Sequence, residues 1–319
     1  MAVLIYTENW DGKFKKSSFE LISFGAKIAE LKGTECVALS IGKVEDSELK
    51  LLAKYGANKI VSVQKDELNI LDNKAYTQVI SSVADAINAD IIVFTHNNTG
   101  KALAPRLAAK QKAGYVSGVI DIPSSVEPFV IKKKAFTGGA IANVKVNSPK
   151  VVVTLAQNSF EIIEKDTGAN IEPFELQVGE VATKVLDVNK VTGKILLTDA
   201  EIVVSGGRGM KSPDNWGPLE ELASVLGAGL ACSRPVSDEG WRPHEEHVGQ
   251  TGKIIAPNLY LAFGISGAIQ HLGGVSSSKC IVAVNIDKDA PIFEAADYGI
   301  VGDVKTVIPA MIEAFKAIK

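Results

Sequence analysis

Residues 259–285, LYLAFGISGAIQHLGGVSSSKCIVAVN, contain two apolar runs separated by glycines and a short polar segment. The runs at 259–263 and 281–284 are each typical of a buried strand, and residues 268–272 predict a short helix between them. Strand, turn, helix and strand in this order form a βαβ unit with parallel strands. The turn leaves backbone N–H groups at the carboxyl edge of the sheet, where α/β folds bind anionic ligands.

Polar residues follow the first of these strands. Ser266 stands where it can cap the predicted helix, and Gln270 and His271 lie in the turn or two that follow. A helix N-cap alone explains Ser266. It does not explain a Gln-His pair on so short a helix, so the pair indicates a ligand.

The first part of the chain alternates between strand and helix patterns. Strands are predicted at 3–6, 36–41, 59–63 and 90–95, and helices at 17–31, 47–55, 76–87 and 101–111. This alternation is typical of a mostly parallel, doubly wound sheet. Shorter runs at 130–136, 140–146 and 151–155, separated by Pro, Gly and Asn, predict antiparallel hairpins at one edge of it.

A second domain is predicted after residue 190. Residues 161–194 lack strong periodicity and are interpreted as an extended connector that ends the first domain. A strand at 201–205, helices at 216–226 and 304–318 and the βαβ unit then follow. The predicted fold class is therefore α/β, with two domains, 1–190 and 191–319, each built on a mostly parallel doubly wound sheet.

Composition excludes several classes of function. The formal net charge of −3 gives no electrostatic case for nucleic acid or an anionic membrane as partner. No apolar run reaches the roughly 18 residues of a membrane span, and no signal or transit peptide is evident. The three cysteines, Cys36, Cys232 and Cys280, form no metal pattern and suit a reducing cytoplasm.

Three further segments carry residue types suited to ligand binding. Gly206-Gly207-Arg208-Gly209 follows a strand and can approach a phosphate, although it lacks the GxGxxG spacing and a tight turn with a solvated arginine explains it equally well. Cys232-Ser233-Arg234-Pro235 should emerge at a strand end; Cys232 is interpreted as a core thiol and Arg234 as a planar cation that stacks on flat rings. The loop 248–253, VGQTGK, offers amides and a Thr hydroxyl to a heterocycle.

Two other patterns have plainer explanations. His244-Glu245-Glu246-His247 invites a metal interpretation, but the set has no wider group of ligands and is better explained as a solvated loop. Asn285 and Asp303 follow second-domain strands, where a ribose or adenine would be recognised. Asp303 can equally be the cap of the terminal helix.

Together these clusters resemble the α subunit of the electron transfer flavoprotein family. Residues 259–285 match that family's signature throughout, and 205–209, 232–234 and 248–253 match its other FAD-binding segments in the same order. The resemblance covers the second domain fully and the first more loosely. Two departures are His247, where related chains often carry glutamine, and Phe136-Thr137-Gly138-Gly139, where the usual form is aromatic-Ala-Gly-Asn.

The resemblance implies a Rossmann-like or flavodoxin-like second domain that holds FAD, with the first domain at the interface with a β subunit. Arg208, Ser266 and the segment Gly267, Ala268, Ile269 and Gln270 would hold the pyrophosphate, and Asn285, Asp303 and Val304 the adenosine end. Arg234 would lie against the isoalloxazine, Thr251 would bond N5 and His271 would approach O2. Val248, Gly249, Gln250 and Ser233 would complete the ring's polar edge.

The implied function is single-electron transfer by a heterodimer. Donors would be flavin dehydrogenases such as acyl-CoA dehydrogenases, and the acceptor would be a quinone oxidoreductase. Cations and donors near the flavin would set its potential, and we expect Arg234 and His271 to do so together. An NAD-linked oxidoreductase, a subunit of an electron-bifurcating flavoprotein and a nucleotide-binding sensor are the alternatives; the missing GxGxxG counts against the first.

Overall fold

The computed structural model describes residues 1–179, 181, 183–188 and 195–318. The chain divides into two compact units, Met1–Val188 and Asn189–Lys319. The predicted domain boundary between residues 190 and 191 lies outside the described residues. None of the helices within the described ranges is both long and apolar enough to cross a bilayer.

The first unit alternates strands and helices along most of its length. Its helices are α1 (Lys16–Lys32), α2 (Asp46–Leu49), α3 (Asn73–Ala86) and α4 (Asn98–Gln111). Its strands are β1 (Ala2–Thr7), β2 (Asn9–Trp10), β3 (Lys13–Phe14), β4 (Glu35–Ile41), β5 (Lys59–Val63), β6 (Ala89–Thr95), β7 (Gly114–Val119), β8 (Ser125–Val126), β9 (Phe129–Ala135), β10 (Ala140–Val146), β11 (Val151–Leu155) and β12 (Asn170–Pro173).

One large sheet organises this unit, in the order β10-β9-β7-β11-β6-β1-β4-β5-β12, with β8 paired to β9. The pairs from β7 through β12 along this order are parallel, whereas β9 runs antiparallel to β7, β8 and β10. The strands β2 and β3 form a separate hairpin. The predicted mostly parallel sheet with an antiparallel edge is confirmed.

Both faces of the sheet are buried. Along β1, Val3 and Ile5 belong to one apolar cluster, and Leu4 and Tyr6 belong to the other. This follows from the two-residue period of a strand, which sends successive side chains to opposite faces. Helix α1 packs on the first cluster, and helices α3 and α4 pack on the second. A doubly wound sheet needs this covering on each face.

Three predictions for the first unit were wrong in detail. Residues 151–155 are not part of an antiparallel edge, because β11 lies between β6 and β7 and is parallel to both. The predicted helix 47–55 is a short helix α2 followed by a 3₁₀ segment, Lys50–Lys54. The connector predicted at 161–194 contains β12, which extends the sheet beside β5.

The second unit is a five-stranded, wholly parallel sheet. Its strands are β13 (Ile202–Gly206), β14 (Gly229–Cys232), β15 (Leu259–Phe263), β16 (Cys280–Asn285) and β17 (Tyr298–Val301), in the order β14-β13-β15-β16-β17. Its helices are α5 (Gly217–Leu226), α6 (Arg234–Asp238), α7 (Ile269–Val275), α8 (Ile292–Ala295) and α9 (Val304–Ile318). The second strand in the sequence lies outside the first, so the order reverses between β13 and β15. This is the flavodoxin-like arrangement, and it confirms the predicted fold.

The helices cover this sheet from two sides. Leu261 and Phe263 of β15 join the cluster that contains residues of α5 and α9, whereas Tyr260 and Ala262 join the cluster that contains Val275 of α7. Successive side chains of β15 therefore enter two different cores. Tyr260 is the residue of β15 that carries a side-chain hydroxyl, and it is fully buried.

The helix of the opening βαβ unit begins and ends later than predicted. It runs over Ile269–Val275 rather than 268–272, so Gly273 and Gly274 lie inside it. The prediction that Ser266 caps this helix is wrong. Ala268 occupies the N-cap position, without any side-chain hydrogen bond. Ala268 has a φ of −54° and a ψ of 146°, so the helix begins only at the next residue. Before it, Gly267 has a φ of +87°, and a Cβ there would approach the Ile292 backbone nitrogen to 2.3 Å, so only glycine fits this turn.

Candidate functional site at the carboxyl edge of the second sheet

All five strands of the second unit end at one edge of the sheet. Because the strands are parallel, the segments that follow Gly206, Cys232, Phe263, Asn285 and Val301 meet there. These segments contain most of the residues predicted to bind a ligand. They are Arg208, Ser233, Arg234, Ser266, Gly267, Ala268, Ile269, Gln270, His271, Asn285, Asp303 and Val304.

Hydrogen bonds from backbone and side-chain donors join these segments to one another. The Ser233 N–H donates to the Gly206 carbonyl at 3.0 Å, and the Gly302 N–H donates to the Asn285 carbonyl at 3.0 Å. Between them, the Asn285 Nδ2 donates to the Ile265 carbonyl at 2.9 Å. The strand-end segments therefore form one continuous rim.

Three glycines close the rim at the point where the strand order reverses. The Gly207 N–H donates to Phe263 at 2.9 Å, and the Gly209 N–H donates to Gly264 at 3.0 Å. A Cβ on Gly207 would lie 2.3 Å from the Gly264 oxygen, so only glycine fits. These glycines therefore allow the backbone after β13 to pack directly against the backbone after β15. Arg208 is held between them with its side chain exposed.

The loop 248–253 folds onto the first turn of α7. The Gln250 N–H donates to the Gln270 carbonyl at 2.7 Å, and Gly274 lies so close to Gly249 that a Cβ there would approach the Gly249 Cα to 2.4 Å. Val248 ties the base of the loop to β14 through a 3.0 Å bond to the Cys232 carbonyl. The contacts bring Gln250, Thr251 and Gln270 together, and all three are exposed.

His271 points inward from this rim. It is 7% exposed, and its Nε2 lies 2.8 Å from the Tyr260 hydroxyl oxygen. Its Nδ1 is buried without a hydrogen-bond partner among the described residues. Burial lowers the pKa of His271 to about 4, so the imidazole is neutral at pH 7. A neutral imidazole carries no charge of its own, so His271 can act on a ligand only through hydrogen bonding.

Of Arg234 and His271, which were expected to act together on the flavin, Arg234 is the cation. It is the first residue of α6, its side chain is 60% exposed, and its Nε pairs with Asp238 at 3.3 Å. An ion pair this exposed contributes little to stability. Cys232, two residues earlier, is buried, and burial raises its pKa to about 12, which confirms the interpretation of a core thiol.

The segment 244–247 is only half solvated: His244 and Glu245 are exposed, as predicted, whereas Glu246 and His247 are buried. Glu246 is 5% exposed, and its carboxylate accepts from Nε and Nη2 of Arg242 at 2.7 and 3.1 Å. His247 is 2% exposed, with an unpartnered Nδ1 within the described part of the chain. Burial is the largest cause of the lowered pKa of His247, and the adjacent His244 adds to it. No group of three or more His, Cys, Asp or Glu in the described ranges is arranged to hold a metal ion.

The residues predicted for an adenosine end also have structural partners. Asn285 uses both ends of its amide, since its Oδ1 accepts from the Asp287 N–H at 3.0 Å. Asp303 accepts the Lys305 N–H at 2.9 Å, which confirms that it caps α9. Val304 is the first residue of that helix and is buried.

Sequence reasoning missed the polar residues beneath the rim. Tyr260 and Ser205 lie within apolar strand runs and were read as part of the core, yet both side chains are fully buried polar groups next to His271 or its neighbours. A hydroxyl inside an otherwise apolar strand was the available signal, since a buried polar group needs a partner.

Comparison with known proteins identifies the family. The electron transfer flavoprotein domain matches residues 3–179, and the electron transfer flavoprotein FAD-binding domain matches residues 196–276. The chain is 38% identical over 317 residues to the electron transfer flavoprotein subunit alpha of Bacillus subtilis (strain 168), covering 98% of this chain and 97% of that one. It is 37% identical to the subunit of the same name from Syntrophomonas wolfei subsp. wolfei, covering 98% of each chain.

A third relative carries a different name. The chain is 35% identical over 351 residues to the acryloyl-CoA reductase electron transfer subunit beta of Anaerotignum propionicum, covering 98% of this chain and 95% of that one. All three alignments run through both units. The chain therefore belongs to the electron transfer flavoprotein family, as an alpha subunit whose residues 196–276 are the FAD-binding domain.

Proposed function

We propose that the carboxyl edge of the β13–β17 sheet is where this chain holds FAD, and that the chain carries single electrons in a heterodimer with a β subunit. The observation that carries the proposal is the continuous rim. It gathers the predicted residues at the reversal of strand order, the position at which doubly wound sheets bind their ligands.

The proposed contacts follow the rim. Arg208, Ser266 and the amides of Gly267–Gln270 hold the pyrophosphate, and Asn285, Asp303 and Val304 lie at the adenosine end. Arg234 would lie against the flavin ring, Thr251 would bond N5 and His271 would approach O2, with Ser233, Val248, Gly249 and Gln250 along the ring's polar edge. Asn285 acts chiefly by holding the Ile265 carbonyl, because both ends of its amide are engaged.

The residues at the rim fit such a group. The Nδ1 atoms of His247 and His271 are buried without a hydrogen-bond partner within the described ranges, and such atoms carry a free-energy cost that a polar ligand relieves. Gln250, Thr251 and Gln270 offer exposed amides and a hydroxyl beside them. When bound, FAD supplies the one-electron chemistry, while these side chains bind and orient it.

An electron carrier suits this edge better than a substrate-transforming enzyme. The pKa of His271, lowered to about 4, leaves it a poor general acid at pH 7. The pKa of Cys232, raised to about 12, keeps it a thiol and not a nucleophilic thiolate. Neither group is poised for covalent or acid–base catalysis.

The partners are proposed from the family. The first unit would contribute the interface with the β subunit, flavin dehydrogenases such as acyl-CoA dehydrogenases would donate, and a quinone oxidoreductase in the membrane would accept. We place the heterodimer in the cytoplasm. The name of the Anaerotignum relative favours a second arrangement, in which the electrons pass to an acryloyl-CoA reductase.

Co-expression with the β subunit from the same genome tests the proposal. The purified complex should be yellow, contain FAD and be reduced by an acyl-CoA dehydrogenase only when its acyl-CoA substrate is present. A colourless complex would overturn FAD binding. A yellow complex that NADH reduces without any dehydrogenase would instead favour the NAD-linked alternative.

A further inference from the structure

Three polar side chains lie together under the rim, on three elements of the second unit. Tyr260 of β15 places its hydroxyl 2.8 Å from Nε2 of His271 in α7, with the ring centroids 6.0 Å apart. Ser205 of β13 is close enough to Tyr260 to affect its pKa. Tyr260 and Ser205 are 0% exposed. A polar group in such a place is costly unless it is hydrogen-bonded, so the direction of the Tyr260–His271 bond matters.

The surroundings fix that direction. Burial raises the pKa of Tyr260 well above its ordinary value, so the phenol keeps its proton and must find an acceptor. Ser205 lowers the pKa of Tyr260 through a side-chain hydrogen bond, which is the effect of a donor to the phenol oxygen and leaves Nε2 of His271, 2.8 Å away, as the acceptor in range. The imidazole is neutral and carries one proton. If Nε2 accepts, that proton is on Nδ1.

His271 lies against the base of the loop 248–253, and its Nδ1 has no hydrogen-bond partner among the described residues. The backbone of Val248 acts to raise the pKa of His271. Val248 is followed by Gly249, whose Cβ position lies 3.7 Å from the His271 Cα. The orientation of the imidazole is therefore coupled to the loop that carries Gln250 and Thr251.

We propose that Tyr260 is a positioning residue: by donating its hydroxyl hydrogen to Nε2 it holds His271 in the Nδ1–H tautomer and so directs one N–H donor toward the loop 248–253. The inference rests on the proposed function in one respect, because the loop matters for FAD only if Gln250 and Thr251 face it. The tautomer itself belongs to the protein and can be measured separately.

The test uses the co-expressed complex labelled with ¹⁵N-histidine, in the wild type and in Tyr260→Phe. The signal of His271 is the one lost in His271→Gln. In the wild type we expect a protonated Nδ1 and an unprotonated Nε2. In Tyr260→Phe, which keeps the ring but removes the donor, this preference should be lost and FAD should dissociate about three- to tenfold faster.

The control is Tyr76→Phe. It removes another buried hydroxyl, which donates to the Leu68 carbonyl at 2.6 Å in the first unit. It should leave both the His271 signal and the dissociation of FAD unchanged.

The outcomes separate the two proposals. A wild-type His271 protonated on Nε2, or an unchanged signal in Tyr260→Phe, overturns the positioning role. If Tyr260→Phe does not fold, the wild-type signal still decides. A complex that shows the Nδ1–H tautomer but never contains FAD supports the positioning of His271 and overturns the proposed function instead.

Discussion

At the scale of single residues, the rim separates a permanent cation from a neutral imidazole. Arg234 is exposed and paired weakly with Asp238, whereas His271 is buried and its pKa is lowered to about 4. Charge near a bound flavin is what shifts its potential, and an arginine is always charged. Of these two side chains, Arg234 is therefore the one from which a direct electrostatic effect on the flavin is expected.

Replacing Arg234 tests this assignment. A charge-assisted hydrogen bond contributes ~1.5–3 kcal/mol. If it forms with the reduced flavin, Arg234→Ala should lower the one-electron potential by roughly 65–130 mV, at ~59 mV per tenfold change. A spectroelectrochemical titration measures this. Asp238→Asn, which frees Arg234 from its ion pair, should not lower the potential, and an unchanged value in Arg234→Ala would remove the residue from the account.

The burial of His271 predicts a pH dependence of stability. Its folded pKa of about 4 lies below the ordinary 6.5, so between these values the unfolded chain binds more protons than the folded one. The free energy of unfolding therefore falls as the pH drops through this window, by roughly 3 kcal/mol across all of it. Urea unfolding followed by the fluorescence of the buried Trp216 measures the slope.

Variants at two histidines separate this effect from general acid sensitivity. His271→Gln should reduce the slope between pH 6.5 and 4, because its side chain does not titrate; His247 and His96, whose pKa values are also lowered, keep the rest. His244→Gln, at an exposed histidine of the same unit, should keep most of the slope, because it acts only through its effect on His247. Equal slopes in all three proteins would mean that His271 is not the group responsible.

Residue identity alone could predict which residue types here suit ligand binding, but not which of their side chains are buried. The pattern at 259–285 pointed correctly to a strand, a turn and a short helix. It could not show that the imidazole of His271 turns inward, because that depends on the loop 248–253 folding over α7 and on a tyrosine eleven positions earlier. His247 and Glu246 were read as solvated for the same reason, since Arg242 and the end of β14 cover them.

At the scale of elements, close backbone approach decides how the rim is built. Gly267 has a φ of +87° and lies against the first residue of α8, so this turn residue cannot belong to helix α7. Local sequence predicted the elements well where a run of apolar residues stayed within one strand. It failed for residues 151–155, because a strand's neighbours are chosen by long-range pairing and β11 is apolar enough for either place.

A pair of glycine variants tests the importance of that turn. Gly267→Ala places a methyl group 2.3 Å from the Ile292 nitrogen at a positive φ, and it should destabilise the second unit by about 1–3 kcal/mol. Gly217→Ala is the matched control, because a Cβ at this position in α5 meets open space and alanine favours a helix. Thermal unfolding of both variants gives the comparison. A stable Gly267→Ala would show that the turn adapts.

At the scale of the whole molecule, two units built on mostly parallel sheets have different proposed tasks. The predicted site residues all lie in the second unit, at or beside the carboxyl edge of its sheet. The first unit also has a mostly parallel sheet, but its predicted contribution is an interface with the β subunit. Alternation along the sequence was enough to predict both sheets. The rim required the strand order, which brings together residues 208 and 285 although they lie far apart in the sequence.

The central claim is that this rim binds FAD, and Arg208 offers the most direct test. Its side chain is exposed, and the close packing at this turn depends on the neighbouring Gly207 and Gly209. Arg208→Ala should therefore leave the fold intact. Lys279→Ala is the control, because Lys279 is an exposed cation that precedes β16, at the opposite edge of the same sheet. The measurement is the equilibrium dissociation of FAD from the co-expressed complex. The account predicts roughly ten- to hundredfold weaker binding for Arg208→Ala and no change for Lys279→Ala, since a charge-assisted bond to phosphate is lost only in the first. Equal FAD affinity in both variants and the wild type would contradict it.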